Sequence, residues 1–231
     1  MDDYVSGDVM SLLLKKYGIM NKIIDEPWHI FPSAFFLKLE VEGMEYIKSR
    51  MVCCDHFLLL IGKKFVFIPI CRSMHWLFVV LVNPGDLLKD GKISHTGEIS
   101  CMLVFDTLSK HSTDQKNAES RYGFYAALIR DWLNSYAKDS ERPFTPTSFP
   151  IFQPKVPHKE NGIDCGLFVY HYVQEMTKLA SLCFTKFEIE CNFQNIIQFQ
   201  FDQSIVTRFL WDTISLLQVL GDEYIRLHSM G

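Results

Sequence analysis

Apolar residues in this chain fall into two kinds of run, and each kind predicts a different element. Residues 65–68, 76–82 and 101–105 are dense in β-branched and aromatic side chains and are bounded by glycine, proline or aspartate, the composition of buried strands. Elsewhere the apolar positions recur at helical spacing. Residues 8–17 carry Val9, Met10, Leu12, Leu13 and Leu14 behind a cap at Ser6 or Asp8. Phe31-Pro32-Ser33 opens a second helix with Phe35, Phe36, Leu37 and Leu39. Residues 122–136 place Phe124, Tyr125, Leu128, Ile129, Trp132 and Leu133 on a third, and residues 166–179 and 205–220 predict two more. Residues 83–100, with Pro84, Gly85, Gly91 and Gly97 among mixed charges, read as a long solvated loop. Residues 140–157 hold Pro143, Pro146, Pro150, Pro154 and Pro157 and read as an extended connection with at most a short strand at 148–152. No internal repeat or composition break divides the chain, so the expectation is one domain, residues 1–231, of class α+β with a small central sheet flanked by helices.

Composition narrows the classes of function. Hydrophobic residues at 48% and charged residues at 22% describe a chain with a packed core, not a disordered one. The net charge is −4, and no lysine and arginine cluster is interleaved with aromatics, so nucleic acid is not an expected partner and a protein or peptide is. Apolar runs such as residues 57–61 and 77–82 are too short to span a bilayer. Met1-Asp2-Asp3-Tyr4 has no basic segment followed by a long apolar one, so an intracellular, unsecreted protein is expected. Seven cysteines, odd in number and unevenly spaced, disfavour a disulfide framework and predict reduced, mostly buried thiols. Cys53, Cys54 and His56 lie together, and Cys71 stands four positions before His75, but no C-x-x-C pair exists; no metal and no cofactor is expected.

One cysteine has a different setting. In Asn161-Gly162-Ile163-Asp164-Cys165-Gly166, helix-start residues precede the apolar run Leu167-Phe168-Val169-Tyr170. A thiol at a helix N-terminus feels the positive end of the macrodipole, which favours thiolate. A cysteine nucleophile also needs a base and a group that orients the base. His75 precedes one predicted strand and Asp106 ends another, so neighbouring strands would bring imidazole and carboxylate to one end of the sheet. Taken singly, each has an ordinary structural reading: a core thiol, a polar residue at a strand rim, a turn former.

The order of these segments resembles that of the Ulp/sentrin-specific proteases, the cysteine peptidases that process SUMO and related ubiquitin-like modifiers. The resemblance rests on Phe67-Ile68-Pro69-Ile70 leading to His75-Trp76, on Val104-Phe105-Asp106-Thr107-Leu108, on Val156-Pro157 through Cys165-Gly166 and, more weakly, on residues 4–17. It implies a papain-like, Ulp/adenain-like fold and a His75, Asp106, Cys165 triad working through a thioester. It also implies that Trp76 covers a narrow tunnel for a Gly-Gly tail, with Tyr4 where the family often has a second tunnel tryptophan. Six residues before the nucleophile the family usually has a glutamine that donates to the oxyanion; this chain has Lys159, and Gln153, the nearest glutamine upstream, lies beyond Pro154 and Pro157. The loop at 83–100 and the Pro154-Lys155-Val156-Pro157 approach resemble the branch that edits poly-SUMO chains. The implied partners are a ubiquitin-like modifier, SUMO first, and its conjugated proteins, met by a monomer in nucleus or cytoplasm. A Nedd-type modifier or ubiquitin as substrate, and a low-activity relative that binds a modifier without cleaving it, remain as alternatives.

Overall fold

A computed structural model of the chain describes residues 7–16, 26–50, 62–87, 98–108, 115–137, 142–161, 163–179, 185 and 199–228. Its centre is a five-stranded mixed sheet in sequential order β1-β2-β3-β4-β5, formed by Trp28–Ile30, Phe65–Arg72, His75–Val82, Cys101–Phe105 and Ile151–Phe152. β3 runs antiparallel to both of its neighbours, β2 and β4, and the edge strands β1 and β5 pair in parallel with β2 and β4. The helices are α1 (Gly7–Lys16), α2 (Ala34–Arg50), α3 (Gln115–Tyr136), α4 (Cys165–Lys178) and α5 (Gln203–His228).

Why the strands read as unbroken apolar runs is plain from the layers. Along β2, β3 and β4 the side chains alternate between two cores, as successive residues of a strand must. Phe65, Phe67, Phe78, Val80, Val82, Cys101, Leu103 and Phe105 pack with α1, α4 and the start of α5. Val66, Ile68, Ile70, Leu77, Val79, Leu81, Met102 and Val104 pack with α2 and α3 on the other face. A sheet covered on both faces needs apolar residues at every position, so the period of two disappears from the sequence.

Several boundaries differ from the sequence reading. α3 begins at Gln115 and not near 122, because its first turns contribute only Ala118 and Tyr122 to the buried set and carry no apolar stripe. α2 runs on to Arg50 but is interrupted at Gly43, whose φ of 78° and ψ of 178° lie outside helical space. β1 has three residues, too few for a pattern, and was not expected. The ends of the stretch at 83–100 are packed, not solvated: Pro84–Leu87 forms a 3-10 turn, and buried Asn83 donates from Nδ2 to Glu98 and to the Ile99 carbonyl at 3.0 and 3.3 Å. Residues 88–97 lie outside the described residues. Arg130 of α3 fixes the proline-rich connection by donating to the Phe149 carbonyl while pairing with Glu119 at 2.7 Å, and this holds β5 against the sheet. Among the described residues no helix is long and apolar enough to cross a membrane.

Candidate active site

The antiparallel register pairs Phe78 with Phe105, so His75 at the start of β3 and Asp106 just past β4 lie at the same end of the sheet. By the alternation, both belong to the α2 and α3 side, whereas Cys165 heads α4 on the opposite side. The groups meet around the end of the sheet, where no further strand residue separates the layers.

His75 Nε2 donates to Asp106 Oδ1 at 2.8 Å. Two more donors hold the carboxylate: the Leu108 backbone N–H reaches Oδ1 at 2.9 Å and the Tyr122 hydroxyl reaches Oδ2 at 3.0 Å. Burial alone would push the Asp106 carboxyl up, but the His75 and Leu108 donors, the His75 charge and the Tyr122 hydroxyl outweigh it and leave its pKa below the ordinary value. Asp106 is therefore ionised at neutral pH and accepts the imidazole proton.

With Nε2 committed, His75 Nδ1 is the nitrogen left for a reaction, and it is buried with no hydrogen-bond partner. Its contact with Cys165 falls short of hydrogen-bond geometry yet is close enough for the two groups to shift each other's titration. The Cys165 Sγ receives the Trp76 backbone N–H at 3.5 Å and lies 3.9 Å from the Ile163 carbonyl. Burial pushes the thiol up; His75, the Trp76 N–H and the Lys159 charge pull it down further, and the net shift is downward. For His75 burial favours the neutral ring, but Asp106 and Cys165 together raise it to about 9. Both shifts act in the direction of a thiolate beside an imidazolium.

The segment before Cys165 is tied from three other places in the chain. His158 Nδ1 donates to the Thr107 carbonyl at 3.2 Å, the Tyr172 hydroxyl of α4 donates to the Pro157 carbonyl at 2.5 Å, and the Glu160 backbone N–H donates to Gln203 Oε1 of α5 at 2.8 Å. Asn161 Oδ1 accepts from the Ile163 and Asp164 backbone N–H groups at 3.1 Å, and its Nδ2 donates to Asp164 Oδ2 at 2.6 Å. Asp164 stands at the N-cap of α4 but makes no side-chain cap bond. The expected cap chemistry is therefore corrected: its carboxylate is spent on Asn161 and on Gln203 Nε2, at 2.7 Å, as a bracket for the turn.

Of the residues singled out in the sequence, His75, Asp106 and Cys165 are brought together, and half-buried Lys159 lies near enough to act on the thiol through its charge. Trp76 is 1% exposed and packs in the same apolar cluster as Cys165, so its ring is core as well as neighbour to the site. Gln153 is buried beyond β5, where Oε1 accepts from Arg121 at 3.4 Å. Tyr4, Cys53, Cys54 and His56 lie outside the described residues. Among the described residues no three His, Cys, Asp or Glu side chains are grouped to hold a metal ion. Tyr122, His158 and Gln203 were not foreseen. Tyr122 reads as part of an apolar helix face, and the other two as polar residues of no pattern.

A thiol facing an imidazole that a carboxylate orients, at the end of a mixed sheet, is the arrangement of a papain-like thiol peptidase. The chain belongs to the Ulp1 protease family, whose C-terminal catalytic domain matches residues 5–201. It is 27% identical over 135 residues to the probable ubiquitin-like-specific protease 2B of Arabidopsis thaliana, covering 56% of this chain and 14% of that protein. It is 22% identical over 191 residues to sentrin-specific protease 2 of Homo sapiens, covering 82% of this chain and 28% of that protein. The chain thus spans between about a seventh and a little over a quarter of the length of these curated relatives. Among solved structures, a de-sumoylating protease superposes with a TM-score of 0.63 at 21% identity over 99% of this chain and 86% of that one. The Xanthomonas campestris effector protein XopD bound to ubiquitin does so with a TM-score of 0.52 at 10% identity over 92% of each chain. These likenesses establish the α+β fold.

Proposed function

We propose that residues 1–231 form a single catalytic domain of a cysteine isopeptidase that cleaves after the C-terminal Gly-Gly of a ubiquitin-like modifier, SUMO first, freeing it from a precursor or from conjugated proteins. The observation that carries this reading is the His75–Asp106 pair at 2.8 Å with its second ring nitrogen left for Cys165. In the proposed reaction the Cys165 thiolate attacks the carbonyl carbon of the terminal glycine, forming the C–S bond. The imidazolium of His75 gives its Nδ1 proton to the departing amine as the C–N bond breaks, and then takes a proton from the water that hydrolyses the thioester. Asp106 keeps the Nε2 proton in place throughout. The Cys165 backbone N–H, in the first turn of α4, and the Lys159 ammonium are the assigned donors to the tetrahedral oxyanion. Trp76 and Tyr4 are assigned to the walls of the Gly-Gly tunnel. The enzyme is proposed to work as a monomer in nucleus or cytoplasm without metal or cofactor.

A panel of SUMO, a Nedd-type modifier and ubiquitin, each bearing a carboxy-terminal electrophile, tests the reading. SUMO is expected to label Cys165, seen by intact mass and lost in Cys165→Ser. Labelling by another modifier instead would transfer the activity to that substrate. A binding module without turnover is the second reading, motivated by lysine at position 159; complexes that neither label nor react would establish it in place of the enzyme.

A further inference from the structure

We propose that Gln203, at the start of α5, is a positioning residue of this site: its side-chain amide joins the backbone after Lys159 to the carboxylate before Cys165 and so holds the lysine at the nucleophile. This rests on the roles given above to Lys159 and Cys165. Gln203 Oε1 accepts from the Glu160 backbone N–H at 2.8 Å and Nε2 donates to Asp164 Oδ2 at 2.7 Å. Each bond therefore ends on a residue adjacent in sequence to one of the two chemical groups. Nε2 also reaches Thr207 Oγ1, one helical turn on, at 3.2 Å, which fixes the rotation of the amide.

Few side chains could do this. The bridge needs one acceptor and one donor on a short planar group; a carboxylate has no donor and would repel Asp164, and an ammonium has no acceptor. The base of the bridge is firm. Val206 is fully buried, and the Phe209 ring stacks on Tyr170 of α4 with centroids 4.7 Å apart. Upstream, the loop is anchored at Pro157 and His158, so Lys159 lies between one anchor and the next. Lysine has a long flexible stem, and its field at the sulfur falls with distance, so the backbone anchors decide how much of that field Cys165 receives. Asn161 alone would still hold the turn at Asp164, but nothing in that contact reaches Glu160.

The test is the pH dependence of Cys165 alkylation by iodoacetamide in the whole chain, which reports the thiolate without any modifier, alongside kcat and KM on the modifier that labels. Gln203→Met keeps side-chain length and helix propensity while removing the two bridging hydrogen bonds and the one to Thr207; Gln203→Ala is the second variant, and thermal unfolding checks that both fold. The expected result is an alkylation midpoint moved to higher pH, as in Lys159→Ala, with no further movement in the double variant Gln203→Met, Lys159→Ala. In turnover, kcat is expected to fall about 10-fold with KM little changed. Midpoints of Gln203→Met and Gln203→Ala equal to that of the parent, or a shift that adds in full to the Lys159→Ala shift, would overturn the proposal. Failure of the parent chain to react with any modifier would remove the proposed activity while the alkylation series still decides the role of Gln203.

Discussion

Asp106 accepts hydrogen bonds from His75, Leu108 and Tyr122, and these explain how a buried carboxylate stays charged beside a half-buried ring. Tyr122→Phe removes one of them without changing the packing volume greatly. Leaving a buried carboxylate oxygen one donor short is expected to cost about 1–3 kcal/mol of stability, read by urea unfolding. The rate should be bell-shaped in pH. Its acid limb follows Cys165, set below the ordinary thiol range, and its alkaline limb follows His75 near pH 9. Asp106→Asn takes away the charge that raises His75, so the alkaline limb should move to lower pH; a limb that stays near 9 would show that Asp106 is not what holds the proton. Lys159→Ala should lower kcat by about 10²-fold if the ammonium serves the oxyanion. Lys159→Gln retains a donor but not the charge, and is expected to recover part of kcat while leaving the thiol midpoint raised. His75, Asp106 and Cys165 were legible because their residue types, order and placement at element ends agree. Tyr122, His158 and Gln203 were not, since a polar side chain announces no partner 16 to 51 residues away until the fold supplies one.

The hairpin that presents His75 is an element with a built-in cost. Its two turn residues, Ser73 and Met74, have φ of 51° and 59°, the left-handed values that a two-residue hairpin loop with the right twist demands. Asparagine and glycine meet that demand with less strain than serine and methionine. Met74 is 67% exposed, so little packing is lost on substitution. Met74→Asn is accordingly expected to stabilise the protein by about 1 kcal/mol, seen as a higher thermal midpoint. The turn also explains a gap in what the sequence could tell: without a glycine or asparagine to mark it, the β2–β3 connection carries no turn signature, although both flanking strands do. Helix ends were displaced for a related reason. The first turns of α3 are polar, and periodicity locates a helix only where it has a face to bury.

For the molecule as a whole, three of the described histidines contribute to the pH dependence of stability. His29 and His171 are held neutral, chiefly by burial, with values lowered from 6.5 to about 4. The unfolded chain therefore binds more protons than the folded one as pH falls from 6.5 toward 4, and stability drops over that interval. His75 is raised from 6.5 to about 9, so its contribution is complete below 6.5 and is lost as pH rises through about 9. Cys165, lowered from 9.0, gains stability as pH rises toward 9 and offsets part of the His75 loss, so the expected change lies on the acid side: urea unfolding should show less stability at pH 4.5 than at 6.5, and equal stability at the two would contradict it. The α+β class and the central sheet could be read from the apolar runs. The sheet order and the parallel edges could not, because they depend on which strands meet across the intervening helices.

That order of strands has a consequence for how the site is assembled. β2 and β3 are joined by two residues, and the antiparallel β2-β3-β4 unit that carries both His75 and Asp106 needs comparatively short loops to close. Cys165 arrives from much farther along: its contact with Trp76 spans 89 positions, and Gln203 follows later still. Since ordering a long loop costs entropy before any contact rewards it, local pairings form early and distant ones late. Pairing within β2-β3-β4 therefore brings His75 and Asp106 together at a lower entropic cost than the later docking of Cys165. Until Trp76 and His75 are in place, Cys165 lacks contacts that lower its thiol pKa in the folded chain.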